Sequence, residues 1–217
     1  MLIQQLFTNP VLFLAWAVAL VIAISFHEFS HAAVATILGD STAKRNGRLT
    51  LNPFAHLDLW GTILLLVAGF GWGKPVPFNP FNLKNQKWGP ALISLAGPIS
   101  NLFLVIVFIL IIRILGASEV AMGALGEDNM LFIFLQVLVI LNTILMVFNL
   151  IPIPPLDGSK VMFAFFPAKW YKNVIWLEKN GPLILIGFII IDSVMNLGIL
   201  STLFQFVLSQ VNNLIIA

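Results

Sequence analysis

Long apolar runs separated by short polar stretches organise this chain. The first goes from Pro10 to Leu38, a second from about Gly89 to Leu115 and a third from about Met130 to Pro152. Each is long enough to cross a hydrocarbon core of about 30 Å as a helix, which takes about 20 residues. Residues 181–217 are apolar again but are interrupted at Asp192, Asn196 and Gly198. They predict one long bent helix or two passes, with Asp192, Ser193 and Asn196 marking a helix end. The run Gly61–Trp72 is different: a helix of that length rises only about 18 Å, and Gly69, Gly71 and Gly73 weaken it further. It predicts a re-entrant or interfacial piece, flanked by short extended segments at Arg48–Leu51 and Pro75–Phe78. The pattern as a whole predicts an all-α polytopic membrane protein. It has a three-helix core, a re-entrant and partly β-like segment, and C-terminal helices, with about five to six membrane segments in all. Residues 1–217 read as a single domain, its core at about 10–165 and its C-terminal membrane helices at about 181–217.

Composition agrees and excludes the alternatives. The 217 residues are 59% hydrophobic and 9% charged, with a mean hydropathy of +1.01. A soluble domain carries about 25% charged residues, so a water-soluble globule, a disordered chain and a coiled coil are all ruled out. The net charge of +2 rests on 11 basic and 9 acidic residues, which gives no footprint for a nucleic-acid partner. There is no cysteine, hence no disulfide and no thiolate nucleophile or ligand. Residues 1–9 hold no Lys or Arg, so the first run does not read as a cleaved signal peptide.

The basic residues instead report topology. Lys44, Arg45 and Arg48 lie in residues 39–60, Lys74, Lys84 and Lys87 in 73–88, and Lys160, Lys169, Lys172 and Lys179 in 156–180. The 116–129 loop has only acidic charges, at Glu119, Glu127 and Asp128. The positive-inside rule then puts the first three segments in the cytoplasm, and the N-terminus and the 116–129 loop outside. Arg113 sits near the outer end of its helix, where it can snorkel.

The chemistry concentrates in His27-Glu28-Phe29-Ser30-His31, an H-E-x-x-H motif. Positions i and i+4 share a helix face, so both imidazoles can reach one metal ion, and the intervening glutamate can take a proton from water beside it. Ionisable groups at membrane depth cost roughly 2.5–3.5 kcal/mol each on insertion scales. Three within five residues therefore point to function. The competing readings are a hydrogen-bonded cluster, a proton path or a transporter. A transporter calls for polar groups along a path to both faces, yet the outer halves of the runs carry almost none beyond Gln136 and Arg113.

A catalytic zinc takes three protein ligands and keeps one open position. Val34 and Ile37 break the pattern that would supply a third histidine downstream. Asp40, His56, Asp58 and Asp157 remain, and Asp157 is the best placed. It follows Asn149-Leu150-Ile151-Pro152-Ile153-Pro154-Pro155-Leu156, where prolines stop the helix, and Asp-Gly makes a tight turn. If Gly61–Trp72 does not cross, helix 89–115 runs outward and 130–152 runs back. Asp157 then emerges on the face nearest His31, itself about 10 Å before the inner end of its helix. His56 is read as a structural hydrogen-bonding residue and Asn101 as a bond across a helix interface.

These residues resemble the site-2 protease family of intramembrane zinc metalloproteases, specifically its small bacterial branch without a PDZ domain. The likeness rests on His27-Glu28-x-x-His31, on Asn149 with Pro152, Pro154 and Asp157-Gly158, on Arg48-Leu49-Thr50-Leu51-Asn52-Pro53, and on Ala96-Gly97-Pro98-Ile99-Ser100-Asn101. It implies one zinc ion held by His27, His31 and Asp157, with Glu28 as general base and Asn149 as a substrate or transition-state contact. It further implies an endopeptidase of regulated intramembrane proteolysis, multi-pass in the cell membrane. Such an enzyme cuts single-span membrane proteins within the lipid bilayer, towards the cytoplasmic side.

Overall fold

In the computed structural model the chain is described over residues 7–68, 73–116 and 129–216. Among the described residues eight α-helices follow one another: α1 Pro10–Ile37, α2 Thr42–Arg45, α3 Leu59–Ala68, α4 Gly89–Gly116, α5 Met130–Asn149, α6 Asp157–Ala164, α7 Tyr171–Val194 and α8 Ile199–Ile216. Four stretches are long and apolar enough to cross a membrane: Pro10–Ile37, Gly89–Leu115, Met130–Asn149 and Ala168–Val194. The protein is thus an all-α, multi-pass membrane protein. Residues 69–72 and 117–128, which carry the end of the re-entrant run and most of the acidic loop, lie outside the described residues.

Local chemistry sets the ends of these helices. Asn9 caps α1, its side chain accepting from the Leu12 N–H at 3.1 Å with Pro10 at the first helical position. At the other end Gly39 takes φ +109, and the N–H groups of Gly39 and Asp40 close on the carbonyls of Thr36 and Ala35. This is the glycine-terminated helix stop, cheap only where no Cβ opposes a positive φ. Asn129 likewise caps α5 through the Leu131 N–H at 2.8 Å.

α1, α4 and α5 pack on one another, and α6 packs on α4. The buried face of α1 is Ala19, Ala23, Ser25, His27, His31, Ala32 and Ala35. Large apolar side chains such as Leu14, Val18, Phe103 and Ile106 point outward. Small residues inside and bulky ones outside are what lipid requires: helices gain nothing by hiding leucine from hydrocarbon, and small residues let backbones approach.

α3 has ten residues, too short to cross. The chain leaves and returns at one place, because Leu57 and Gly73 form an antiparallel bridge and Lys74 N–H donates to His56 O at 2.8 Å. The expected extended segments do not become strands among the described residues. Pro75 and Pro77 lack the N–H that a ladder needs. Arg48 holds the segment instead, donating from Nη1 to Pro75 O at 3.1 Å and from Nη2 to Lys74 O.

The C-terminal apolar region forms two helices, and α7 begins well before residue 181. Lys172, Glu178 and Lys179 interrupt the hydropathy but not the helix. The break between α7 and α8 falls where Asn196 and Gly198 take positive φ and Asp192 accepts from the N–H groups of Ile199 and Leu200. α8 then runs back against α4 and α5, placing Val211 in the cluster of Val105, Ile109, Leu135 and Val139.

Candidate metal centre

The i, i+4 spacing brings the rings of His27 and His31 to 4.6 Å, edge to face. Ligand atoms of His27, Glu28 and His31 all lie within 4.8 Å of one another. The third helix and its proline-rich exit bring in the carboxylate. Asp157 Oδ2 lies 3.1 Å from His27 Nε2 and 3.2 Å from His31 Nε2. Asp157 is the first residue of α6, held by its neighbour: a Cβ on Gly158 would sit 2.2 Å from Leu150 O and 2.7 Å from Ile151 O. Only glycine lets α6 start against the end of α5. Gly181 of α7 presses on the same loop, its own Cβ position lying 2.3 Å from that of Pro154.

The partners of the other ring nitrogens assign both tautomers. His31 Nδ1 faces the Ile93 carbonyl at 2.6 Å, which can only accept, so Nδ1 carries the proton. The assignment of His27 runs through three residues. Asn142 Nδ2 donates to Leu138 O at 2.8 Å, which leaves Asn142 Oδ1 to accept from Asn101 Nδ2 at 2.8 Å. Asn101 Oδ1 then accepts from His27 Nδ1 at 2.6 Å. In the neutral rings both Nε2 atoms therefore present lone pairs, and they converge on a carboxylate oxygen that is buried without a hydrogen-bond partner. Three lone-pair donors aimed at one point repel unless a proton or a metal cation lies between them.

The donor set fits zinc. With metal–ligand distances of about 2.0–2.1 Å, neighbouring donors of a tetrahedral site stand about 3.3 Å apart, close to the two separations above. Room is also reserved. A Cβ on Gly97 would fall 2.5 Å from His31 Nε2 and 2.6 Å from His27 Nε2, so α4 passes the site at a glycine. Each imidazole already has the outer hydrogen bond that fixes a ligating histidine. Glu28 Oε2 is buried and has no hydrogen-bond partner, and Glu28 Oε1 lies 4.0 Å from where a Cβ on Gly73 would stand. Gly73, where the chain returns, therefore lies beside the glutamate.

The other candidates go elsewhere. Asp40 accepts from Thr42 Oγ1 at 2.6 Å, Asn79 N–H at 2.6 Å and Asn82 Nδ2 at 2.8 Å, tying the end of α1 to the 79–82 turn. Burial pushes its carboxyl up, but these hydrogen bonds outweigh burial and hold it down at about 2. Asp58 caps α3 through the Gly61 N–H at 2.8 Å. His56 donates from Nε2 to Thr50 O at 2.7 Å and is fully buried, the structural role expected of it. Asn149 turns back on its own helix, Nδ2 donating to Leu145 O at 3.0 Å. No described hydrogen bond joins it to the cluster. Asn101 does bond across a helix interface as expected, and it also orients a candidate ligand. Asn142 escaped the sequence reading. Its signal is a lone asparagine inside an apolar run, where a polar side chain needs a partner.

Known proteins bear on this geometry. The profile of peptidase family M50 matches residues 119–191, the part that carries Asn149 and Asp157. YwhC of Bacillus subtilis, described as a candidate zinc metalloprotease, is 41% identical over 167 residues, covering 76% of this chain and 74% of YwhC. The chain belongs to peptidase family M50, the site-2 protease family. Rip2 of Mycolicibacterium smegmatis, also described as a candidate zinc metalloprotease, is 29% identical over 176 residues. Rip2 of Mycobacterium tuberculosis, described in the same words, is 31% identical over 171 residues. The M50 chain spans 63% and 62% of these two relatives. No solved structure matches it closely enough to count as a relative. Its family makes the protein a zinc metalloendopeptidase in a multi-pass membrane body.

Proposed function

We propose that this M50 protein hydrolyses peptide bonds of single-span membrane proteins inside the bilayer, near its cytoplasmic side. His27, His31 and Asp157 hold the zinc ion and Glu28 is the general base. The convergence of two histidine Nε2 atoms on Asp157 Oδ2, beside a glutamate oxygen without a partner, carries this reading. When bound, zinc polarises the scissile carbonyl and lowers the pKa of water towards about 7. Glu28 Oε2 takes the proton from the attacking water and delivers it to the leaving amine as the C–N bond breaks. Glu28 Oε2 is buried and engaged by no hydrogen bond, which leaves it free for that proton. Asn149, at the end of the helix before Asp157, is proposed to bind the substrate backbone after turning from its Leu145 bond.

The positive-inside rule supports the cytoplasmic assignment. The Lys and Arg residues, Arg113 apart, gather after the C-terminal end of α1, before the N-terminal end of α4, and from α6 into the first turns of α7. Lys84 N–H donates to Leu38 O at 3.1 Å, so the first two of these ends lie together. His31 is then about 10 Å from that face, at 1.5 Å per residue.

The decisive experiment compares wild type with Glu28→Gln in zinc content and in cleavage of a tagged single-span substrate in liposomes. Glu28→Gln is expected to keep zinc and lose cleavage, because the amide cannot take the proton. Full activity in Glu28→Gln would sink the mechanism.

A further inference from the structure

We propose that the ends of α1, α4 and α7 that share one face form a docking belt for anionic phospholipid headgroups, with Phe81, Trp88 and Tyr171 in the lipid interface and Lys84, Lys87, Lys169 and Lys172 on the headgroups. The proposal rests on the membrane-spanning body and not on the hydrolytic reading.

The loop between α3 and α4 sorts its apolar side chains in two directions. Leu83 is buried with Ala35 and Ile93, whereas Phe81, two residues earlier, is 82% exposed. Its exposure is fixed by construction. The turn is bonded to Asp40 through the Asn79 N–H and Asn82 Nδ2, and to α1 through Lys84 N–H and Leu38 O. A rigid turn at the end of a membrane helix thus holds a phenylalanine ring outward.

The belt continues through contacts. The Trp88 ring, one residue before α4, meets Phe165 edge to face at 5.2 Å, and Lys87 Nζ stands 5.8 Å from the Trp88 centroid. Phe166 meets Trp170 at 4.9 Å, and Tyr171, 68% exposed, opens α7. The charge on the two segments that carry the belt is of one sign, and Asp40 at the end of α1 is fully buried. No Asp or Glu occurs in residues 74–88 or 158–177. None of the four lysines has an acidic partner among the described residues; Lys160, beyond the belt, takes Glu178. Rings at the helix ends with unpaired lysines between them suit the boundary between acyl chains and anionic headgroups, where each basic residue is worth about a fivefold factor in binding. A second copy would bring like charges together.

The test uses the full chain in phosphatidylcholine vesicles carrying either spin-labelled phosphatidylglycerol or spin-labelled phosphatidylcholine. The motionally restricted fraction reads the lipid preference. Wild type is expected to favour phosphatidylglycerol. The combined Lys84→Gln, Lys87→Gln, Lys169→Gln and Lys172→Gln variant should lose at least about fivefold of that preference, with zinc content unchanged. Arg113→Gln, at the opposite end of α4, should keep it. No preference in wild type, or equal losses in the two variants, would overturn the proposal. If the fourfold variant fails to fold, nitroxides at Phe81→Cys and Tyr171→Cys in the otherwise native, cysteine-free chain decide. Greater accessibility to oxygen than to a nickel chelate supports the belt. Free access to the chelate, or dimers cross-linked through position 81, overturns it.

Discussion

His27 Nδ1 donates to Asn101 Oδ1 over 2.6 Å, and that bond is aimed by a third helix, through Asn142 and the Leu138 carbonyl. One imidazole of the candidate centre is therefore oriented by a polar chain crossing all three core helices. Its backbone end cannot be reversed, since a carbonyl only accepts.

Outer hydrogen bonds of this kind are typically worth 10–100-fold in metal affinity. Asn101→Leu is expected to weaken zinc binding by roughly that factor, and Asn142→Leu by less, because Asn101 also donates to Ala23 O at 3.3 Å. Asn101→Asp keeps the acceptor for His27 and should retain more affinity than Asn101→Leu. Competition with a chromogenic chelator measures the series. Unchanged affinity in Asn101→Leu would show that packing alone holds the ring.

Gly97→Ala should abolish zinc binding outright. The added methyl would stand 2.5 Å from His27 Cε1 and His31 Nε2, and both rings are pinned by their Nδ1 bonds. Metal content of the purified variant checks this, with a thermal unfolding scan to confirm that it folds. Retention of stoichiometric zinc would mean that α4 can move away.

Gly158→Ala tests the placement of Asp157. Its Cβ would overlap Leu150 O, so α6 must shift and carry the carboxylate away from Nε2. Zinc and cleavage should both fall, as in Asp157→Ala. Gly187→Ala, where nothing lies within 4 Å, is the control. It should be neutral or slightly stabilising, since alanine is about 1 kcal/mol better than glycine within a helix.

Asp40 predicts an acid limb in stability. Its carboxyl is held at about 2 against an ordinary value of 3.8, so the unfolded chain binds the proton more readily than the folded one. The stabilisation is full above about pH 4 and is lost as pH falls towards 2. Asp40→Asn should lower stability near neutral pH and flatten that limb, as read by unfolding in detergent between pH 2 and 6. An unaltered limb would assign acid lability to another group.

Topology has a clean assay, because the chain has no cysteine. Cysteines at Lys84 and Lys172 should react only with reagent on the cytoplasmic side, and one at Met130 only from outside. Labelling of position 84 from outside would invert the proposed orientation.

The hydropathy pattern alone determined the class, the three core helices and the non-crossing status of the Gly61–Trp72 run, because lipid enforces these one segment at a time. A helix must be apolar over its length, and its own hydrogen bonds close within it. The H-E-x-x-H spacing was equally local, since i and i+4 share a face in any helix. The pattern misplaced the start of α7, where lysines and a glutamate reach water from a helix that continues past the interface. It also read strands where prolines deny the donors.

Among Asp40, His56, Asp58 and Asp157 the sequence favoured Asp157, through the proline break and the directions of the core helices, but only tertiary structure shows a carboxylate against two imidazoles more than 120 residues earlier. That meeting depends on α5 returning beside α1 and on Gly158 letting α6 start against Leu150. The Asn142–Asn101–His27 chain was hidden for the same reason. Each residue lies on a different helix, and hydrogen bonds between helices leave no period in a sequence. The physical division is between forces that act within one segment, which a sequence displays, and contacts made when segments pack, which it does not.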